Sequence, residues 1–347
     1  MGIVRGTEGA AEIGRRSFLA AGGAVLGAGS VAGCIGNNPD TDLTIYSGRS
    51  EHQIEPIFRE IEAELGIEIG DRYGDSAGMA GQIVEEGEQT PADLFYTQDS
   101  GTLGMLKAAG RTQSLPDAVL STVPETYRDP AGTWTGVSGR TRCVAYNTET
   151  WSGETLPDDI FAYAADERFH GELGWRIDSG SFLSFIRAMM IEYGESRTRE
   201  WLEDLLDLEI RGYEGGSTTP RAIANGEVTV GFVNHYYVGR LLDEDPSATI
   251  DITFTDGDVG SLFNVSGTAI IDTSERYELA TDFVETVLSP RIQEMFVELN
   301  AEYPVIPEVE YMGDLPQLDE INPPDFDLNE LADVEPAQDL LREVGIL

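Results

Sequence analysis

From Leu43 onward, short apolar runs alternate with stretches of helical period. LTIYS (43–47) reads as a buried strand, IEPIFREIEAELG (54–66) as a helix with apolar positions three and four apart, and IEIGDRY (67–73) as the next strand. AGMAGQIVEEGE (77–88) and DLFY (93–96) continue the alternation. Further on, FLSFIRAMMIEYG and TREWLEDLLDL read as helices, and STTP (217–220) opens another helix before the strand VTVGFV. This rhythm predicts an α/β fold with mostly parallel strands. Two longer strands interrupt it, SGRTRCVAYNT (138–148) and SLFNVSGTAIID (261–272). Each carries a Ser-Gly and a self-sufficient α/β block lies between them, so they are expected to be the crossings of a two-lobed protein. The acidic, proline-rich stretch 308–335 predicts surface wrapping, closed by a helix in EPAQDLLREVGI.

The first 40 residues do not follow the pattern. Arg15-Arg16-Ser17-Phe18-Leu19 precedes a small-residue apolar stretch too short and glycine-rich for a stable membrane span, which predicts a twin-arginine export signal. Val31-Ala32-Gly33-Cys34 resembles a lipobox in which Cys34 is lipidated, so residues 1–33 are expected to be a signal and 34–41 a tether. Cys143 is then left without a disulfide partner. Composition adds a second constraint: 63 acidic residues face 22 basic ones, for a net charge of -41. Nucleic acid and anionic lipid are poor partners for such a surface. Lys107 is the one lysine among the basic residues, and with the carboxylate excess this predicts adaptation to concentrated salt, where self-repulsion is screened.

Candidate chemistry gathers in VNHYYVGR (233–240). A strand ending near Val233 and a helix starting near Tyr237 put Tyr236 and Tyr237 at the carboxyl end of a parallel strand, where α/β folds keep their ligand crevice. Asn234 and His235 share that turn. A phenolate is a hard oxygen donor that forms near neutrality only beside a strong positive charge, such as ferric iron. Core packing with the hydroxyls reaching water is the alternative for the pair alone.

Blocks along the chain widen the comparison: YSGRSE (46–51), GDSAGMAGQIVEEGEQTPADLFYTQD (74–99), VSGRTRCVAYNT (137–148), DSGSF (178–182), NGEVTVGFVNHYY (225–237), NVSGTAII (264–271) and AEYPV (301–305). With them the chain from about 43 to 345 resembles the ferric-ion-binding proteins of ABC importers. The resemblance implies a type II periplasmic-binding-protein fold with a two-strand hinge and an interlobe cleft. With the two long strands as connectors, an N-lobe of 42–138 and 264–308 and a C-lobe of 139–263 and 309–347 are expected. It also implies that Tyr236 and Tyr237 ligate Fe(III), with Tyr146 in the YNT segment as a further ligand. The partners implied are an ABC permease and its ATPase, and with Cys34 lipidated the protein is expected to serve them as a monomer anchored on the outer face of the cytoplasmic membrane.

Where members of that family carry a histidine and a glutamate ligand, this chain has Ser50 and Gln98. Ser50-Glu51-His52-Gln53 reads instead as a capping box opening the first helix. A site short of one imidazole and one carboxylate calls for an exogenous anion, such as carbonate, phosphate or citrate. Arg140 and Arg142 share a face of their strand with Tyr146, and an arginine fork suits such an anion. Ser179, Gly180 and Ser181 at a helix N-terminus offer backbone N–H groups and hydroxyls, and Asn234 and Arg49 are candidates to join them. His52, His170 and His235 form no HExxH motif, and no nucleophile elbow or phosphate loop occurs, so a binding protein is expected and not an enzyme. Thiamine, a polyamine or another small solute is the alternative cargo on the same fold.

Overall fold

The computed structural model describes residues 41–311, 315–317 and 320–347. The twin arginines, the lipobox and Cys34 lie outside the described residues. Among the described residues, no helix is long and apolar enough to cross a membrane.

The first strands and helices follow the expected rhythm with small shifts at their ends: β1 (Leu43–Ser47), α1 (Glu51–Leu65), β2 (Ile69–Tyr73), α2 (Ser76–Glu86), β3 (Leu94–Thr97), α3 (Ser100–Ala108) and the short α4 (Asp117–Leu120). Helix α1 begins three residues before its first apolar position because Ser50, in extended conformation, caps it. The capping box does not form: Ser50 Oγ makes no bond to the helix backbone and meets the side chain of Gln53 instead. The long β4 (Thr135–Asn147) follows, buried at every position. Next come β5 (Leu173–Arg176), α5 (Gly180–Tyr193), α6 (Glu195–Asp207), β6 (Arg211–Tyr213), α7 (Thr218–Ala224), β7 (Val230–Asn234), α8 (His235–Glu244) and β8 (Ile250–Thr253). The chain then returns through β9 (Phe263–Ile270), α9 (Tyr277–Val287), α10 (Pro290–Asn300), the two-residue β10 (Tyr303–Pro304) and α11 (Glu335–Glu343).

The strand order β2-β1-β3-β9-β4-β7-β5-β6 holds a parallel block at each end, β2-β1-β3 and β7-β5-β6. Between them β9 and β4 run antiparallel to their neighbours. The pairing path is unbroken, and what divides it is a change of partner along β4. Thr135 to Thr141 pair with β9, whereas Arg142 to Asn147 pair with β7 and β8. At the changeover Arg142 N–H bonds the carbonyl of Leu262, just before β9 starts. Each side has its own apolar filling: Phe58 against Tyr96 and Phe283 on one, Trp175 and Trp201 with Phe182, Phe185 and Phe232 on the other. The tail touches both, since the turn Leu328–Ala332 packs on α3 and α11 packs on α5.

Candidate metal centre

Helix α8 follows β7 without a linking residue, which puts Tyr236 and Tyr237 in its first turn. Their ring centroids are 4.3 Å apart. A helix N-terminus carries partial positive charge, so it favours phenolates there. Asn234 caps the helix by backbone position alone, because its amide serves other groups. Its Nδ2 donates to the Tyr236 hydroxyl at 3.2 Å, and its Oδ1 accepts from Arg142 Nη1 at 3.4 Å. Burial raises the Tyr237 pKa and the neighbouring Tyr236 phenol adds to it, while Arg176 and Arg140 pull it down.

Arg142 is buried over the ring of Phe185 and has no acceptor for Nε or Nη2; Arg140 is buried with no acceptor for Nε. Burial pushes Arg142 down to about 10, which leaves it cationic at neutral pH. Buried donors without partners are costly, so an anionic group entering the site would satisfy them. Ser179 caps α5, its Oγ accepting from Phe182 N–H at 3.2 Å and lying 3.2 Å from Ser181 Oγ. A side chain on Gly180 would meet nothing, so this helix end is open.

Two expected residues, Tyr146 and Arg49, stand differently. Tyr146 is not brought to the pair: its hydroxyl donates to Asp251 at 3.1 Å, and burial with that carboxylate pushes its pKa up to about 12. It pairs with Val230 while Arg142 pairs with Asn234, and four residues of strand span about 13 Å. Arg49 is committed to another partner. Glu302 receives both of its terminal nitrogens at 2.9 and 2.7 Å, which leaves Nε alone without an acceptor. His235 stacks on Tyr303 and meets the Tyr236 ring edge-on at 5.7 Å, with Nδ1 accepting from Thr141 N–H, and burial holds it neutral at a pKa of about 3.

Ser50 and Gln98 meet at the amide of Gln53, with Gln98 Nε2 3.3 Å from it. With its oxygen toward Arg240, that amide accepts at 3.1 and 3.2 Å and donates to Ser50 Oγ at 2.7 Å. The Arg240 guanidinium in turn lies 4.9 Å from the ring centroid of Tyr236. These side chains from α1 and the end of β3 therefore line the approach to the tyrosine helix.

Arg176 was not signalled by the pattern. It closes β5, whose four-residue run is short, yet β5 lies beside β7 and shares its carboxyl end. Its Nη1 donates to the Tyr237 hydroxyl and its Nε to Asp178 Oδ1 at 2.6 Å. Among the described residues no three His, Cys, Asp or Glu side chains are gathered as metal ligands. The donor set facing Arg140, Arg142 and Arg176 is therefore phenolic, which suits a hard, highly charged ion and an anion beside it.

Residues 89–328 match the family described as bacterial extracellular solute-binding protein. The chain is 28% identical over 313 residues to the major ferric iron-binding protein of Neisseria meningitidis, covering 88% of this chain and 93% of that one. It is 28% identical to iron uptake protein A1 of Synechocystis sp., covering 96% and 99%. Among solved structures, iron-bound HitA from Pseudomonas aeruginosa superposes with a TM-score of 0.79 at 30% identity, over 87% of this chain and 99% of that one.

Proposed function

Because this chain belongs to the bacterial extracellular solute-binding protein family, we propose that it captures ferric iron outside the cytoplasmic membrane and delivers it to an ABC permease and its ATPase. The fold is the two-lobed, type II α/β arrangement of iron-binding relatives such as HitA. The observation that carries the reading is the pair Tyr236–Tyr237 in the first turn of α8, backed by Arg140, Arg142 and Arg176. The names of the relatives, ferric iron-binding protein and iron uptake protein, support it.

The chemistry follows from the charges. Fe(III) displaces the phenol protons of Tyr236 and Tyr237, and the helix end favours the resulting phenolates. A synergistic anion such as carbonate, phosphate or citrate takes the free donors of Arg142 and Arg140, with the open end of α5 at Ser179, Gly180 and Ser181 beside it. The same buried guanidinium groups oppose thiamine and polyamines, which are cations. The lobes proposed, 42–138 with 264–308 and 139–263 with 309–347, hinge where β4 changes partner, and closure is favoured by contacts made only in the closed state.

The export signal, lipidation of Cys34, salt adaptation and a monomeric state belong to the same proposal. They rest on Arg15-Arg16, on Val31-Ala32-Gly33-Cys34 and on the net charge of -41. The deciding experiment is an absorption spectrum of the Fe(III)-loaded protein. A phenolate-to-iron charge-transfer band is expected, diminished in Tyr236→Phe and in Tyr237→Phe and absent when both are changed. A band that survives the double change would remove these tyrosines from the site.

A further inference from the structure

We propose that Arg176 is a positioning residue for Tyr237, holding the phenol oxygen toward the cleft and remaining its hydrogen-bond donor while that oxygen binds iron. The inference rests on the ferric reading of the tyrosine pair and adds a residue outside the donor set.

The contacts around Tyr237 form a closed ring. Arg176 Nη1 donates to the Tyr237 hydroxyl, and its guanidinium carbon lies 5.4 Å from the ring centroid. Arg176 Nε donates to Asp178 Oδ1 at 2.6 Å, and Asp178 Oδ2 accepts from Gly215 N–H at 3.0 Å. Gly216, the next residue, brings its bare backbone against the Tyr237 ring so closely that a Cβ there would collide with it. The phenol is thus clamped between a latched guanidinium and a main chain without a side chain. Arg176 differs in this from Arg142, whose Nε and Nη2 meet no acceptor. One arginine is free for an incoming anion; the other is committed to a ligand's oxygen.

A phenolate oxygen has lone pairs enough for a metal and for an N–H donor. A donor on a ligating oxygen reduces the charge it gives the metal and fixes its orientation, and loss of such outer contacts costs about 10–100-fold in metal affinity. The charge-transfer band should therefore lie at shorter wavelength with Arg176 in place than without it.

The test loads the intact chain, Arg176→Met, Arg176→Lys and Asp178→Asn with Fe(III) supplied as its nitrilotriacetate complex. It records the band and the affinity, with circular dichroism as the check on folding. Arg176→Met is expected to bind about 10–100-fold more weakly with the band at longer wavelength, and Arg176→Lys, which restores a cationic donor, to move both back. Asp178→Asn, which unlatches Arg176 without removing it, should shift the band in the same direction and serves if Arg176→Met does not fold. A folded Arg176→Met without iron, alongside an iron-binding Arg176→Lys, also supports the assignment. An unchanged band and affinity in Arg176→Met overturns it, as does equal loss of iron by the folded Met and Lys variants. No band in the unaltered chain overturns the ferric reading itself, whatever the variants do.

Discussion

Arg49 and Glu302, 253 positions apart in sequence, are joined by two parallel hydrogen bonds of 2.9 and 2.7 Å in a fully buried setting. Ser138 of β4 donates to the same carboxylate at 2.7 Å and shares a short hydroxyl contact with Ser266 of β9. The pair thus ties the end of β1 and the chain after α10 to both crossing strands. Arg49→Met or Glu302→Gln alone should cost about 3–5 kcal/mol, because each strands its partner without its counter-charge. The double replacement should cost less than the sum of the two, read from urea unfolding midpoints. Additive losses would show that the two side chains do not act as a unit.

The same carboxylate gives a pH dependence. Burial alone would raise the Glu302 pKa, but Arg49 by charge and hydrogen bonding, with Ser138 and Arg140, holds it below the usual range. His235 and Tyr96 are the other titratable groups that feel this cluster. Its folded pKa lies below the unfolded value of about 4.3, so its contribution is complete above that pH. It is lost as pH falls through the folded value. Unfolding midpoints of the unaltered chain should therefore drop more steeply than those of Glu302→Gln between about pH 5 and pH 2. Parallel curves would contradict the assignment.

Tyr146→Phe should leave the iron spectrum unchanged, since the phenol is turned to Asp251 and lies well along β4 from Arg142. Its expected effect is on stability, about 1 kcal/mol for the lost hydrogen bond. Loss of the charge-transfer band in this variant would return Tyr146 to the site.

Gly216→Ala tests the close approach to Tyr237. The added methyl would meet the ring, which must then swing away from Arg176. A folded protein with iron affinity reduced about tenfold or more is expected, measured by competition with a chelator. Unaltered affinity would mean that the ring has room to yield without losing its place.

Local signals are legible in this sequence and long-range ones are not. β1 stands where LTIYS placed it, and the twin tyrosines fall at the junction of β7 and α8, because both follow from periodicity within a few residues. Strand alternation put Arg140, Arg142 and Tyr146 on one face, but it carries no information on which residues of that face share a depth with the helix end. Arg49 looked free because its partner comes from the far end of the chain. Ser50 and Gln53 have capping-box spacing, yet the Gln53 amide finds Arg240 from α8, a neighbour that only folding supplies. Arg176 lay on a run too short to register as a strand.

The residues that would grip an anion, Arg140 and Arg142, straddle the point where β4 passes from β9 to β7. In the proposed function that strand would be at once a shelf for cargo and a torsion bar between the parallel blocks. On the proposed reading, opening would twist the bar at the spot where the cargo rests, so that loosening the grip and parting the walls would be a single movement.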